Sequence, residues 1–220
     1  MALPFLFSTQ HLYFIVKLVV ISFIIKRGDY MARDRKFSTE ELFQLTHKLL
    51  LTHGYEGFTF SILAEQLEVS RGTLYKYYEN KDELITEFML YEMNQFMLKL
   101  KEIHLQKGFE AQTEYLIDLI FEQTTIPALI EIGRHIPNTN EKVENNKKQL
   151  DDQRMDMYYQ LESYIQLGRR EQKLKKDLPN SLVLGMIFQT IAIPNHFEVP
   201  RKDWIKGIKE IICHGMFLQR

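Results

Sequence analysis

The stretch 59–84, TFSILAEQLEVSRGTLYKYYENKDEL, constrains this chain most, because it holds three helix starts in quick succession. Thr59 and Ser70 each stand where a hydroxyl accepts a backbone N–H at the head of a helix. Asn80, with Glu83 three residues later, has the form of a capping box for the next helix. Helices spaced this closely are too short to persist alone. Leu63, Ala64, Leu67, Val69, Leu74 and Tyr78 are therefore expected to hold them by mutual packing, with Ala64 small enough to let two helices cross closely. The pattern is that of a helix-turn-helix.

The rest of the chain is read as helical too. Ten glycines and six prolines in 220 residues fall mostly between periodic apolar segments, and no segment alternates convincingly with period two. The expected fold class is all-α, with an N-terminal three-helix unit over 31–85 and a larger helical domain over 86–220. A single cysteine, Cys213, excludes an internal disulfide and a cysteine cluster for zinc, which fits a reducing cytoplasm.

Residues 1–30 differ in character from the other 190. The segment 12–25 is almost wholly apolar apart from Lys17, and extended back to Leu3 it reaches the roughly 20 residues that a membrane span needs. It lacks the basic start and small-residue cleavage site of a secretory signal. The expectation is that Met31 begins the native protein and that 1–30 is an over-extended start. The alternatives are a membrane anchor through 3–25 or an extra packed helix.

From Ser38, Thr39, Glu40 and Glu41 a capped helix begins with Leu42, Leu45, Leu49 and Leu50 on its apolar side, Phe37 and Phe43 beside it, and an end at Gly54. A long amphipathic helix starts at Lys81, carries Leu84, Phe88, Tyr91 and Leu98 at helical spacing, and runs to about His104. Further helices are expected at roughly 110–124, 127–136, 141–172, 180–193 and 201–218, separated by proline and asparagine breaks. The last two are apolar enough to suggest a face for a second copy of the chain.

Bulk charge does not favour a polyanionic partner. The formal net charge is −1, and over 31–85 seven Lys and Arg stand against nine Asp and Glu, giving −2. Placement is more informative. Arg33, Arg35 and Lys36 form a basic arm ahead of the first helix, and Arg71, Lys76 and Lys81 lie on or just after the second short one.

The residues LEVSRGTLYKYYENKDEL over 67–84, preceded by GFTFSILA over 57–64, resemble the TetR family of bacterial transcriptional regulators. The likeness is specific over roughly 38–85 and architectural beyond it. It implies that Ser70, Arg71, Gly72, Thr73, Leu74, Tyr75, Lys76, Tyr77 and Tyr78 form a recognition helix for the major groove, with Leu74 and Tyr78 on the packing side. Arg71 and Thr73 would approach base edges, an arginine being able to hold guanine O6 and N7 together. Tyr75, Tyr77 and Lys81 would meet phosphates, and Thr59 would bring its helix start to another. The one departure is Glu68, which occupies the turn position where the family usually has a glycine suited to positive φ.

Other chemistry finds little footing. The sequence has no phosphate loop, no nucleophile elbow and no histidine pair at three or four residues' separation. Glu131 with His135, and Glu210 with His214, are ordinary one-turn pairs. No catalytic residue, metal ligand or cofactor is expected. Met89, Met93, Phe96, Met97, Tyr115, Phe121, Met155, Tyr158, Tyr159, Met186 and Phe188 read as core that could also line a cavity for an apolar molecule, with no residue assigned to an effector. The expected function is a cytoplasmic, homodimeric, ligand-responsive repressor on a palindromic double-stranded operator. The alternatives are a DNA-binding regulator controlled by a protein partner, or a membrane-tethered receptor through 3–25.

Overall fold

The computed structural model describes residues 36–122 and 126–216, and every regular element among them is helical. The apolar segment 3–25 and the basic residues Arg33 and Arg35 lie outside the described residues. No described helix is long and apolar enough to cross a membrane.

Four helices make the N-terminal unit: α1 Thr39–Gly57, α2 Phe60–Gln66, α3 Arg71–Tyr75 and α4 Lys81–Leu100. Each starts at the cap its sequence offers. Ser38, Thr59, Ser70 and Asn80 all have extended backbone, and each side chain accepts an N–H from three residues ahead. The capping box at Asn80 is modified: Glu83 receives the N–H of Glu79, one residue before the cap. Gly54, at φ +66°, breaks α1 near its end, as the glycine there leads one to expect.

The short helices are held as their apolar spacing predicts. Leu63, Ala64, Leu67, Leu74 and Tyr78 are buried with Leu42, Leu50, Phe58, Leu84 and Phe88 in one core, against which Val69 packs half-buried. The turn from α2 to α3 is closed by Val69 N–H on Ala64 O at 2.9 Å and Glu68 N–H on Glu65 O at 3.1 Å. That pairing places Glu68 in the left-handed region at φ +54°.

Beyond α4 a 3-10 turn, Lys101–Leu105, leads to α5 Phe109–Glu122, α6 Ile126–His135, α7 Glu141–Gln160, α8 Glu162–Arg170, α9 Asn180–Gln189 and α10 Arg201–Met216. The single helix expected over 141–172 is two, divided at Leu161 with φ −86° and ψ 2°. Hydrogen bonds continue on both sides of the joint, from Leu161 N–H to Met157 O and from Ile165 N–H to Leu161 O, so the irregularity is confined to Leu161. Leu161, Tyr164 and Ile165, spaced to share one helical face, all enter a second core formed with Phe96, Leu100, Phe109, Leu116, Ile120, Leu184, Ile187, Ile208 and Ile212. On α4 the buried positions of the distal half are Phe96, Met97 and Leu100, whereas Leu98 is 56% exposed, because that half packs on the second core from a different side. α4 and α7 run side by side in the same direction: Asn146 Nδ2 donates to Thr86 Oγ1, and further along Gln153 Nε2 donates to Asn94 Oδ1. Leu129, Ile132, Ile136 and Val143, from α6 and the start of α7, complete the first core.

Gly168 lies against the second core with no room for a side chain. Phe109 stacks on Tyr164 with ring centroids 4.8 Å apart, and a Cβ on Gly168 would fall 2.5 Å from the Phe109 ring. Thr113 Oγ1 donates to Phe109 O at 2.8 Å and so accepts the buried Tyr164 hydroxyl proton at 2.9 Å. Burial pushes the Tyr164 phenol well above its ordinary range, which keeps it a donor.

Two substitutions test these local readings by urea denaturation. Gly168→Ala should destabilise by about 1–2 kcal/mol, since overpacking outweighs the gain in helix propensity. Glu68→Gly should stabilise by about 0.5–1 kcal/mol, since relief of the left-handed backbone exceeds the added unfolded-chain entropy.

Candidate nucleic-acid interface

The recognition segment presents one short helix whose inner side is spent on packing and whose outer side is not. Leu74 and Tyr78 are buried, at 0% and 1% exposure. Arg71, Gly72, Tyr75 and Lys76 are exposed, and Thr73 and Tyr77 are half-buried.

Local contacts fix the directions of these side chains. Ser70 Oγ accepts Thr73 N–H at 3.2 Å and lies 2.9 Å from Thr73 Oγ1, so the two hydroxyls are hydrogen-bonded at the head of α3. The Arg71 guanidinium sits 5.9 Å from the Tyr75 ring centroid, and that ring meets Phe60 of α2 edge-on at 5.0 Å. Tyr75 is half exposed even so. Tyr77 rests edge-on against Phe37 at 5.9 Å, which ties the chain ahead of α1 to the end of α3. Gly72 has only Ser70 Oγ, at 3.7 Å, near the place a Cβ would take. Nothing inside the molecule requires a glycine there, and glycine costs a helix about 1 kcal/mol against alanine. An exposed glycine between Arg71 and Thr73 leaves room for an external surface to approach the backbone.

Thr59 heads α2, its Oγ1 accepting Ile62 N–H at 3.4 Å. Lys81 is half-buried and turned inward, unlike the exposed Arg71 and Lys76. Its Nζ donates to Tyr55 O at 2.7 Å and to Phe58 O at 3.5 Å, and lies 4.1 Å from the Tyr55 ring centroid. Any phosphate it met would share an ammonium already bracing the end of α1 against the start of α4. The Tyr55 hydroxyl donates to Asp82 Oδ1 at 2.8 Å. Burial first, then that carboxylate, pushes its proton loss well above the ordinary phenol range. The bond is thus held across neutral pH.

Sequence reasoning missed this Tyr55, Asp82 and Lys81 brace, because its members are far apart in the chain. It also missed a second tie at the far end of the recognition segment. There Asn140 Nδ2 donates to Glu79 Oε2 at 2.8 Å and to Glu83 Oε1 at 2.6 Å. Asn140 was legible only as a residue ahead of a helix. Among the described residues no group of three or more His, Cys, Asp or Glu is gathered as a metal site.

Comparison with known proteins agrees with this geometry. Residues 42–88 match the model described as bacterial regulatory proteins, tetR family. An HTH-type transcriptional regulator of Staphylococcus aureus is 24% identical over 136 residues, which cover 60% of this chain and 70% of the relative. Among solved structures, a TetR transcription regulator from Haloarcula marismortui aligns with TM-score 0.61 and 21% identity, covering 82% of this chain and 98% of that one. The FadR regulator of Bacillus subtilis in complex with stearoyl-CoA aligns with TM-score 0.62 and 16% identity, covering 81% of this chain and all of the other. The all-helical architecture, the helix-turn-helix with its four caps and the match over 42–88 lead to one conclusion: residues 42–88 form a helix-turn-helix of the bacterial tetR family, in a DNA-binding transcriptional regulator with the fold of TetR regulators.

Proposed function

We propose that this protein is a cytoplasmic, homodimeric, effector-responsive repressor that lays α3 of each protomer in successive major grooves of a palindromic operator. The observation that carries the DNA side is the outer face of α3. Arg71, Gly72, Tyr75 and Lys76 are exposed together on a helix whose opposite side is fully packed. Arg71 offers two parallel donors to a guanine edge, while Lys76 and the tyrosine hydroxyls supply phosphate contacts. Ser70 and Thr73 add hydroxyls at the head of the helix, and Thr59 heads its neighbour.

Dimerisation is supported by the last two helices. On α9, Leu182 and Met186 are each 52% exposed and flank Gly185, where a Cβ would meet nothing within 4 Å. On α10, Ile211 is 69% exposed, one turn beyond Gly207, where a Cβ would also meet open space. Apolar side chains and bare glycines at helical spacing are what a close helix crossing with a second copy needs. The two-fold axis would set the α3 helices about 34–36 Å apart, one turn of duplex.

Control by a small molecule is supported by the second core, where Met93, Tyr115, Tyr158 and Phe188 are only partly buried. Tyr158 and Phe96 both face the Phe188 ring, at 5.9 and 6.5 Å. A methionine and aromatic lining of this kind accommodates an apolar ligand. The structurally similar B. subtilis regulator is bound to stearoyl-CoA. Effector binding there would move α4, change the separation of the two α3 helices and release the operator.

The assignment is tested by selecting a duplex from a random palindromic pool with the wild-type protein and measuring affinity for it by fluorescence anisotropy. Arg71→Ala should weaken binding by about 10- to 100-fold while the dimer, followed by light scattering, is retained. Unchanged affinity would remove Arg71 from the interface.

A further inference from the structure

α7 is a polar helix with one end in each half of the molecule. Among its own residues only Val143 and Met157 are buried. Met157 and Leu161, at its distal end, belong to the second core, and Val143, at its start, belongs to the first. Just ahead of Val143 stands Asn140, which performs two jobs with one amide. Its Oδ1 caps α7 by accepting Val143 N–H at 3.0 Å, and its Nδ2 reaches across 61 residues of sequence to Glu79.

Glu79 follows Tyr78 directly, at the end of the recognition segment, so this contact holds the reading head itself. The same Nδ2 donates to Glu83 Oε1 at 2.6 Å, and the other Glu83 oxygen accepts Glu79 N–H at 3.0 Å. The Glu83 side chain is only 7% exposed, so its charge is held by these partners and by Lys142, whose Nζ lies 3.7 Å away. Lys142 also pairs with Glu87 at 3.1 Å and lies 5.1 Å from the Tyr78 ring centroid, and Tyr78 OH donates to Glu87 Oε1 at 3.1 Å. Four residues of the segment 78–87 are thus gripped by two residues at the head of α7.

We infer that Asn140 is a positioning residue for DNA binding: through Glu79 and Glu83 it fixes the angle at which α3 leaves the rest of the protomer, and so the half-site spacing the dimer accepts. The inference rests on the dimeric DNA-binding reading above. It adds to α4 a second mechanical link, parallel to it, that joins the effector half to the recognition segment directly. A shift of α7 at its distal end is delivered to Glu79 through this amide.

Asn140→Asp isolates the contact. The carboxylate keeps an oxygen for Val143 N–H, and aspartate caps a helix as well as asparagine does. It replaces the Nδ2 donor by an oxygen facing two carboxyl groups, which removes both hydrogen bonds and sets acceptor against acceptor. Adding Glu79→Gln and Glu83→Gln restores amide donors opposite the new carboxylate.

The test uses the duplex selected by the wild-type protein and two derivatives with the half-sites one base pair closer or further apart. Wild type should prefer its own spacing strongly. Asn140→Asp should lose about 3- to 30-fold on that duplex and far less on the altered ones, so that the spacing preference flattens. The triple variant should regain it, and melting temperatures should show all forms folded. An unchanged preference in Asn140→Asp, whether affinity is retained or falls equally on all three duplexes, overturns the inference. A wild type that selects no duplex overturns the DNA-binding reading itself, and this separates the two failures.

Discussion

Helices of seven and five residues have too few internal hydrogen bonds to persist in water, so the proposed DNA face of this protein exists only because Leu63, Leu74 and Tyr78 are buried almost completely beneath it. Local chemistry then refines what burial makes possible. The caps at Thr59 and Ser70 satisfy N–H groups that such short helices leave open, and the left-handed Glu68 closes the turn between them. Each cap contributes about 1 kcal/mol, small beside the burial of several large apolar side chains. The near-neutral charge of the chain gives little non-specific attraction to DNA. On the proposed function, binding therefore depends on geometry, on where Arg71 and Lys76 are aimed and how firmly they are held.

That firmness comes from both sides of α3. Toward the N-terminus Tyr77 is lodged against Phe37, and the Lys81 ammonium joins the end of α1 to the start of α4. Toward the rest of the molecule Glu79 and Glu83 are held by Asn140. α6 completes the core of the reading unit with Leu129 and Ile132, so residues well outside the helix-turn-helix contribute to its stability. The two halves share surfaces, through packed side chains and hydrogen bonds.

Much of the first unit was legible in the sequence because its signals are local. Ser38, Thr59, Ser70 and Asn80 act on N–H groups three residues away, and the apolar spacing from Leu63 to Tyr78 identifies its own inner face. The position of Glu68 implied a left-handed turn, and its φ is positive. Contacts set by tertiary packing could not be read. The joint at Leu161 has no proline or glycine beside it to announce it. Leu98 fits the apolar period of α4 but faces outward, because the core it would have joined lies on another side of the distal half. Asn140 looks like any helix cap until Glu79, 61 residues earlier, is found beside it.

In the proposed complex two copies of α3 enter adjacent major grooves from one side of the duplex. Hydroxyl-radical and dimethyl sulfate footprinting of the native dimer on its selected duplex measures this directly. Two protected backbone patches, with protected guanine N7 atoms in major grooves centred about 34–36 Å apart, are the expected result. A single continuous patch, or protection confined to the minor groove, would contradict it.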